Sequence, residues 1–201
     1  TDVATFRVKE SARTYTEENV RVMKSKHGPV VHNQSGQMIA MRIAGLDRPR
    51  MLEQWFRMGS ASNLKEFQAA LRMASIPMWN ACYADADGHT MLVFNGLVPK
   101  RKTGDWAYWS KIVPGDTSET LWTAYLPFSE LPKVIDPPSG FVQNANEPPW
   151  MTTSPTLDPS KYAPFVAPDN KQLASFRAKR SFRMANDDAS ITYEELVAAK
   201  H

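Results

Sequence analysis

Two asparagines, Asn144 and Asn146, lie in a run at residues 140–150 (GFVQNANEPPW) that is poor in charge and framed by glycine, proline and tryptophan. A side-chain amide held in one position can donate hydrogen bonds to the negative oxygen that develops when a carbonyl carbon is attacked. Asparagine is also common in turns, since it tolerates left-handed backbone and bonds to nearby backbone groups. The run by itself allows both interpretations: an oxyanion donor, or residues that close turns.

A basic cluster further along the chain offers a cation to support such an amide. The spacing of residues 171–184 predicts a helix on which Arg180 lies near the centre of one stripe, with Arg177 near the edge of the same face. The other members of the stripe are Leu173, Phe176 and Met184. A guanidinium on an apolar stripe needs partners, because burying it unpaired is costly. Alternatively, Arg180 reaches solvent along its apolar stem or forms a structural ion pair.

Thr1 and His27 also invite a catalytic interpretation. An N-terminal threonine can act as a nucleophile with its own α-amine as base, and a histidine can act as a general base. Each has a structural alternative: Thr1 as the cut end of a longer chain, and His27 as part of a turn with Gly28 and Pro29.

Hydrophobic periodicity predicts the elements that position these residues. Alternation at Phe6 and Val8, and again at Val20 and Val22, predicts a strand hairpin before the turn at His27. Helical spacing from residue 50 and a second helix after residue 63 predict a helical hairpin. A buried strand over residues 76–83, an acidic turn at 85–88 and a strand at 91–94 predict a second hairpin.

Capping signals and composition complete the prediction. Asn63 with Glu66, and Thr192 with Glu195, have the spacing of capping boxes at helix starts. Residues 106–168 are rich in proline, tryptophan and serine, which is typical of ordered irregular chain. The acidic turn lacks the ligands of a calcium loop, since its twelfth position is Gly96.

Composition excludes several classes of protein. The 201 residues are enough for one substantial domain. A net charge of +3 spread along the chain gives little support for nucleic-acid binding, which usually needs clustered Lys and Arg. No apolar stretch of about 18 residues is present to span a membrane. Cys82 is the single cysteine, so no intrachain disulfide can form, and it is expected to pack as a small apolar residue.

Six short motifs occur in an order and spacing that resemble the penicillin acylase (penicillin amidase) family of N-terminal-nucleophile hydrolases. They are HGPVV at residues 27–31, YADADG at 83–88, NGLVPKR at 95–101, VPGD at 113–116, LWTAYLP at 121–127 and GFVQNANEPPW at 140–150. The last motif is similar to the branch that contains acyl-homoserine-lactone acylases. The resemblance covers most of the chain, roughly residues 27–184.

The resemblance implies a role for particular residues. In this family the N-terminal serine of the mature β chain attacks an amide, an asparagine amide helps to hold the oxyanion, and a downstream arginine orients the catalytic groups. By position, the matching donor is Asn146, with Asn144 as the fallback, and the arginine is Arg180 in preference to Arg177. The strand that carries Trp79 and Asn80 lines the acyl pocket in the family, although a core aromatic and a strand asparagine are equally compatible.

The resemblance also implies what surrounds these residues. The fold class is α+β, part of the αββα sandwich of N-terminal-nucleophile hydrolases, and residues 1–201 are one partial domain from inside the β chain that lacks the nucleophile. The parent enzyme would cleave the amide of an N-acylated small molecule, such as an acyl-homoserine lactone or a β-lactam, in the periplasm or outside the cell. Its partners are the substrate, the α chain and the rest of the β chain. No cofactor is expected in this chain, and any calcium would be bound by residues outside it. The alternative is a non-catalytic module that binds a hydrophobic ligand on an acylase scaffold.

Overall fold

The structure is a computed structural model that describes residues 2–32, 35–94, 96–169, 175–188 and 190–198. Thr1, weighed above as a nucleophile, lies outside the described residues. The chain divides into two compact units: Thr1–Ile43 with Ile112–Leu121, and Ala44–Lys111 with Trp122–His201. Helices and antiparallel sheets occur together, which confirms the α+β class. That residues 1–201 form one partial domain stays a prediction.

The first unit contains a four-stranded antiparallel sheet in the order β1-β2-β3-β4. Its strands are β1 (Asp2–Lys9), β2 (Tyr15–Ser25), β3 (Gly28–His32) and β4 (Met38–Ala40). The predicted hairpin is confirmed, with Phe6 paired to Glu18, and His27 lies in the turn that follows it. Gly28 has a φ of 128°, and a Cβ there would lie 2.1 Å from the carbonyl oxygen of Met41. Only glycine therefore fits at this turn.

Two helices open the second unit, α1 (Met51–Gly59) and α2 (Leu64–Leu71). The predicted cap of α2 is confirmed, because the Asn63 side chain accepts a hydrogen bond from the Glu66 N–H at 2.9 Å. The Glu66 carboxylate in turn accepts from the Ser62 N–H at 2.9 Å. Leu71 is buried, and Leu64 and Phe67 are partly buried and pack against the core.

The apolar side of α1 is largely exposed. Leu52 is 80% exposed and Trp55 is 52% exposed, whereas Gln54 is buried. The Gln54 Oε1 accepts a hydrogen bond from the Ser75 N–H at 2.6 Å. This bond satisfies the buried amide oxygen and lets a polar side chain take the inward position. Trp55 is consequently free to line the cavity described below.

The second unit also contains a three-stranded antiparallel sheet in the order β5-β6-β7. Its strands are β5 (Ala81–Ala84), β6 (Thr90–Val93) and β7 (Lys133–Ile135). The strand predicted from residue 76 is wrong over its first half, because Met78 has a φ of 57° and left-handed backbone interrupts an extended strand. Cys82 is exposed, so its predicted burial is also wrong: alternation along β5 turns Ala81 and Tyr83 inward instead.

The acidic turn between β5 and β6 is a hairpin turn, as predicted. The Asp85 carboxylate accepts hydrogen bonds from the N–H groups of Asp87 at 3.1 Å and His89 at 2.9 Å, and from the Tyr83 hydroxyl at 2.7 Å. Within the described residues, no group of three or more His, Cys, Asp and Glu side chains has the arrangement of a metal site. The carboxylate of Asp85 thus holds the turn itself.

Residues 106–111 and 122–168 belong to the second unit and are mostly ordered irregular chain, as predicted. They include the short helix α3 (Trp106–Trp109) and single 3₁₀ turns at Phe128–Glu130, Pro149–Met151 and Pro159–Lys161. The core is built on β6, whose Met91 and Val93 are almost fully buried. Trp150 packs against this core, and its Nε1–H donates to the Pro168 carbonyl at 2.7 Å. This bond anchors the loop that follows the two asparagines.

Two helices follow, α4 (Phe176–Asn186) and α5 (Tyr193–Ala198). Residues 171–174 of the predicted helix, Leu173 among them, lie outside the described residues. The predicted stripe is wrong, since Phe176 is 91% exposed while Ala178 is buried. The inward face instead includes Phe182, whose ring lies 5.9 Å from that of Phe141. No helix in the described ranges combines the length and apolar character that a bilayer crossing requires.

The predicted capping box of α5 is confirmed. The Thr192 hydroxyl accepts from the Glu195 N–H at 3.2 Å, and the Glu195 carboxylate accepts from the Thr192 N–H at 2.8 Å. Both bonds satisfy donors that a helix start otherwise leaves unpaired.

His89 and Asp136 connect the β5-β6 hairpin to the end of β7, with 2.9 Å between Nδ1 and Oδ2. The hydrogen bond between His89 and Asp136 raises the pKa of His89 and lowers the pKa of Asp136. Stability from His89 is complete below its unfolded pKa of about 6.5 and is lost as the pH rises through the higher folded value. Stability from Asp136 is complete above about pH 3.9 and is lost as the pH falls through the lower folded value.

We therefore expect His89→Gln to lower the melting temperature more at about pH 5.5 than at about pH 9. Differential scanning calorimetry at the two pH values measures this difference. The matched control is His27→Gln, since His27 forms no ion pair within the described part of the chain. An equal loss at both pH values would show that the pair does not titrate in the folded state.

Candidate functional site

The asparagine run forms a tight turn in the second unit. The Asn144 Oδ1 accepts a hydrogen bond from the Asn146 N–H at 3.1 Å, and Asn146 has a φ of 65°. Both features are typical of asparagine in turns. Asn144 therefore uses its side-chain oxygen to close the turn, whereas the side chain of Asn146 is exposed.

Asn80 ties this turn to the segment before β5. Its Nδ2 donates to the Asn144 Oδ1 at 3.0 Å. The orientation of the Asn144 amide follows from its other bond: a backbone N–H can only donate, so the atom facing it is oxygen. Asn80 and Asn144, singled out separately in the sequence, are thus in direct contact.

Arg177 holds the side chain of Asn146. Its Nη2 donates to the Asn146 Oδ1 at 2.9 Å and also to the carbonyl oxygen of Ala145. Arg177 lies in the first turn of α4, two residues after the N-cap Ser175. Because the guanidinium binds the amide oxygen, the Nδ2 of Asn146 points both its hydrogens elsewhere, and it makes no hydrogen bond within the described residues. The result is an oriented amide donor that faces solvent.

Arg180, which the sequence favoured over Arg177, is exposed and makes no hydrogen bond or ion pair among the described residues. It lies three residues further along the helix, which is about 4.5 Å along the axis. A helical wheel gives the face of a residue but not its height along the helix. The serine at position 175 is the sequence signal for the start of α4, since it is the N-cap. This start places Arg177, but not Arg180, in the first turn of the helix.

An apolar cavity adjoins this network. Trp79 is 59% exposed, and its ring packs edge to face with the Trp55 ring. The ring centroids are 5.5 Å apart and the ring planes are at 88°. Both rings line a cavity of about 60 Å³ together with Asn80, which also bonds to the asparagine turn. The other lining residues are Gln54, Met58, Leu71, Ile76, Ala81, Val93 and Gly96. The cavity has room for only a few water molecules, and the exposed aromatic pair forms part of its wall.

Trp55 is a lining residue that sequence reasoning did not identify. Its position in helical spacing with Met51 and Met58 indicates a helix face but not what that face contacts. The contact depends on the left-handed residue Met78, which turns the chain so that Trp79 meets Trp55.

Comparison with known proteins places this chain in a family. The penicillin amidase family model matches residues 1–201. An acyl-homoserine lactone acylase, PvdQ, of Pseudomonas savastanoi pv. phaseolicola is 28% identical over 176 residues, which are 76% of this chain and 22% of that protein. Penicillin G acylase of Escherichia coli is 31% identical over 136 residues, which are 66% of this chain and 16% of that protein.

A solved structure has the same fold. The thermostable penicillin G acylase from Alcaligenes faecalis aligns with 98% of this chain and 33% of its own chain, with a TM-score of 0.68 at 20% identity. The fold is therefore that of part of an acylase. The chain belongs to the penicillin amidase family, as the motifs predicted. It spans about a fifth of the length of these two curated relatives.

Proposed function

We propose that this chain is part of the β chain of an amidohydrolase that cleaves N-acylated small molecules through an acyl-enzyme. Acyl-homoserine lactones are the first substrate class and β-lactams of the penicillin G type the second. The observation that carries the proposal is the contact between Arg177 and the Asn146 Oδ1, which leaves the Asn146 Nδ2 as an oriented and unoccupied donor.

Each residue of the site has a distinct role in this reaction. When a nucleophile attacks the substrate carbonyl, the carbonyl oxygen becomes negative, and the Asn146 Nδ2–H donates a hydrogen bond to it. Arg177 keeps the amide from rotating, and Asn144 and Asn80 hold the backbone of the turn. Preorganised donors of this kind reduce the barrier because they need no reorientation during the reaction.

The attacking group comes from outside these 201 residues. By resemblance to the family it is the N-terminal serine of the mature β chain, and its own α-amine acts as the base. The serine oxygen forms the bond to the acyl carbon, the amine of the substrate leaves with a proton, and water then hydrolyses the ester. This chain alone would therefore be inactive. The α chain and the remaining β chain would complete the αββα sandwich, and the parent would act in the periplasm or outside the cell. Any calcium would be bound elsewhere in the parent.

The aromatic pair is the proposed wall of the acyl pocket. Trp79 and Trp55 present apolar surface beside Asn80, at the position where an acyl chain would lie when its carbonyl meets Asn146. Burial of apolar chain against these rings would contribute equally to the ground state and the transition state, so it would act on KM.

In the intact enzyme, we expect Trp79→Ala to raise KM for N-decanoyl-homoserine lactone about tenfold with little change in kcat, since about 1–2 kcal/mol of apolar contact is lost. Steady-state kinetics with decanoyl and butanoyl substrates measures the effect, which should be smaller for the shorter chain. The matched control is Trp106→Ala, because Trp106 is 42% exposed and does not line the cavity. Equal losses for both chain lengths would contradict the pocket assignment.

The intact mature enzyme also tests the proposed function directly. Release of homoserine lactone from N-decanoyl-homoserine lactone, or of 6-aminopenicillanic acid from penicillin G, should be accompanied by a covalent acyl adduct visible by mass spectrometry. Binding of the decanoyl substrate without turnover or adduct would instead favour a non-catalytic ligand-binding module.

A further inference from the structure

Glu147 is a buried carboxylate directly after the asparagine turn. It is 7% exposed, and both of its oxygens accept hydrogen bonds. Oε2 accepts from the Ala145 N–H at 2.9 Å, and Oε1 accepts from the Gln143 Nε2 at 3.1 Å. Gln143 is itself 8% exposed and donates in addition to the Met151 carbonyl at 2.6 Å. The carboxylate is thus fixed from two sides.

These bonds hold the residue between the two asparagines. Glu147 binds the N–H of Ala145, and Arg177 binds its carbonyl oxygen. The backbone N–H and the backbone carbonyl of Ala145 are therefore both held by a charged side chain, a carboxylate and a guanidinium respectively. The next residue, Asn146, has a φ of 65°, a conformation that costs energy for any residue with a Cβ and that needs support from its surroundings.

Both side-chain oxygens of residue 147 must be hydrogen-bond acceptors. Its two partners, the Ala145 N–H and the Gln143 amide NH₂, are both donors. A glutamine would present its own NH₂ group to one of them. Alanine would leave the Ala145 N–H unpaired and the Gln143 Nε2 with only its bond to the Met151 carbonyl. Among the described residues no lysine, arginine or histidine forms an ion pair with Glu147, so its charge is compensated by hydrogen bonds.

We propose that Glu147 is a positioning residue for the reaction: it fixes the Asn144-Ala145-Asn146 turn so that the Asn146 amide meets the oxyanion. The inference rests on the proposed function of Asn146. Glu147 does not touch the substrate, and it acts through the backbone of Ala145.

A double-mutant cycle in the intact mature enzyme tests this role with N-decanoyl-homoserine lactone as substrate. Glu147→Ala should lower kcat about tenfold with KM changed less than about twofold, since a misplaced donor weakens the transition state only. Glu147→Gln, which keeps the size and one acceptor, should recover part of the loss. The pair Glu147→Ala with Asn146→Ala should be no slower than Asn146→Ala alone, because Glu147 acts only through that amide.

Thr152 is only 1% exposed, and its hydroxyl has no hydrogen-bond partner within the described residues. As the control, Thr152→Val removes this hydroxyl, so kcat should not change. Additive losses in the double variant, or a rise in KM at constant kcat, would show that Glu147 is structural only. If Glu147→Ala does not fold, Glu147→Gln carries the cycle. Full turnover by Asn146→Ala would overturn the donor role of Asn146 and, with it, the positioning role of Glu147. If Asn146→Ala is impaired but Glu147→Ala has full turnover, only the positioning role of Glu147 is overturned.

Discussion

Replacement of Asn146 by alanine in the intact mature enzyme is expected to lower kcat about a hundred- to a thousandfold, the usual effect of removing one oxyanion donor. KM should change little, because the bond forms only when the substrate oxygen becomes negative. Steady-state kinetics with N-decanoyl-homoserine lactone provides both constants. The geometry that motivates this expectation is the unoccupied Nδ2 of Asn146, whose oxygen is bound by Arg177.

Two further variants separate the donor from the backbone. Because Asn146 has a φ of 65°, alanine adds backbone strain, whereas Asn146→Gly removes the amide without it. Asn146→Asp keeps an acceptor for Arg177 but has no N–H to donate. All three variants should lose activity to a similar degree. Near-normal kcat in Asn146→Gly or Asn146→Asp would exclude the donor role, and a selective loss in Asn146→Ala would indicate strain.

Replacement of Arg177 by alanine is expected to lower kcat about ten- to a hundredfold, since hydrogen bonds to charged groups contribute about 1.5–3 kcal/mol. Without the guanidinium the Asn146 amide can rotate, and the carbonyl of Ala145 loses a partner. Arg177→Lys should recover only part of the activity, because a lysine ammonium cannot reproduce the planar fork of arginine. Initial-rate measurements at saturating substrate are sufficient.

Arg180→Ala is the matched control on the same helix. Arg180 is exposed and has no hydrogen-bond partner in the described ranges, so its removal should change kcat less than about twofold, as for most surface substitutions. A larger effect at Arg180 than at Arg177 would reverse the assignment and restore the one that the sequence favoured.

The contact that Arg177, rather than Arg180, makes with Asn146 shows what the sequence can predict. Local rules worked where the signal is local: the cap at Asn63, the capping box at Thr192 and the hairpin that joins β5 to β6 are all present. The motif order identified the family, and the asparagine run supplied the turn. The caps, the hairpin and the turn depend on neighbours within a few residues.

The remaining features depend on contacts between distant segments. Periodicity predicted a helix that contains Arg177 and Arg180. It did not predict which position along that helix would contact the turn at Asn146. It extended β5 too far because the left-handed backbone at Met78 has no signal in its side chain. Periodicity also did not predict the contact between Trp55 and Trp79, since the Trp79 ring reaches Trp55 only after that bend.

The Asn144 side chain has a consequence for the order of folding. Its oxygen bonds to Asn80, 64 residues earlier in the chain, and the neighbouring Asn146 bonds to Arg177, 31 residues later. Contacts between segments so far apart in sequence form only after both segments have been ordered, and they are lost early when either one opens. The Asn146 amide is therefore oriented only once α4 has docked against the turn.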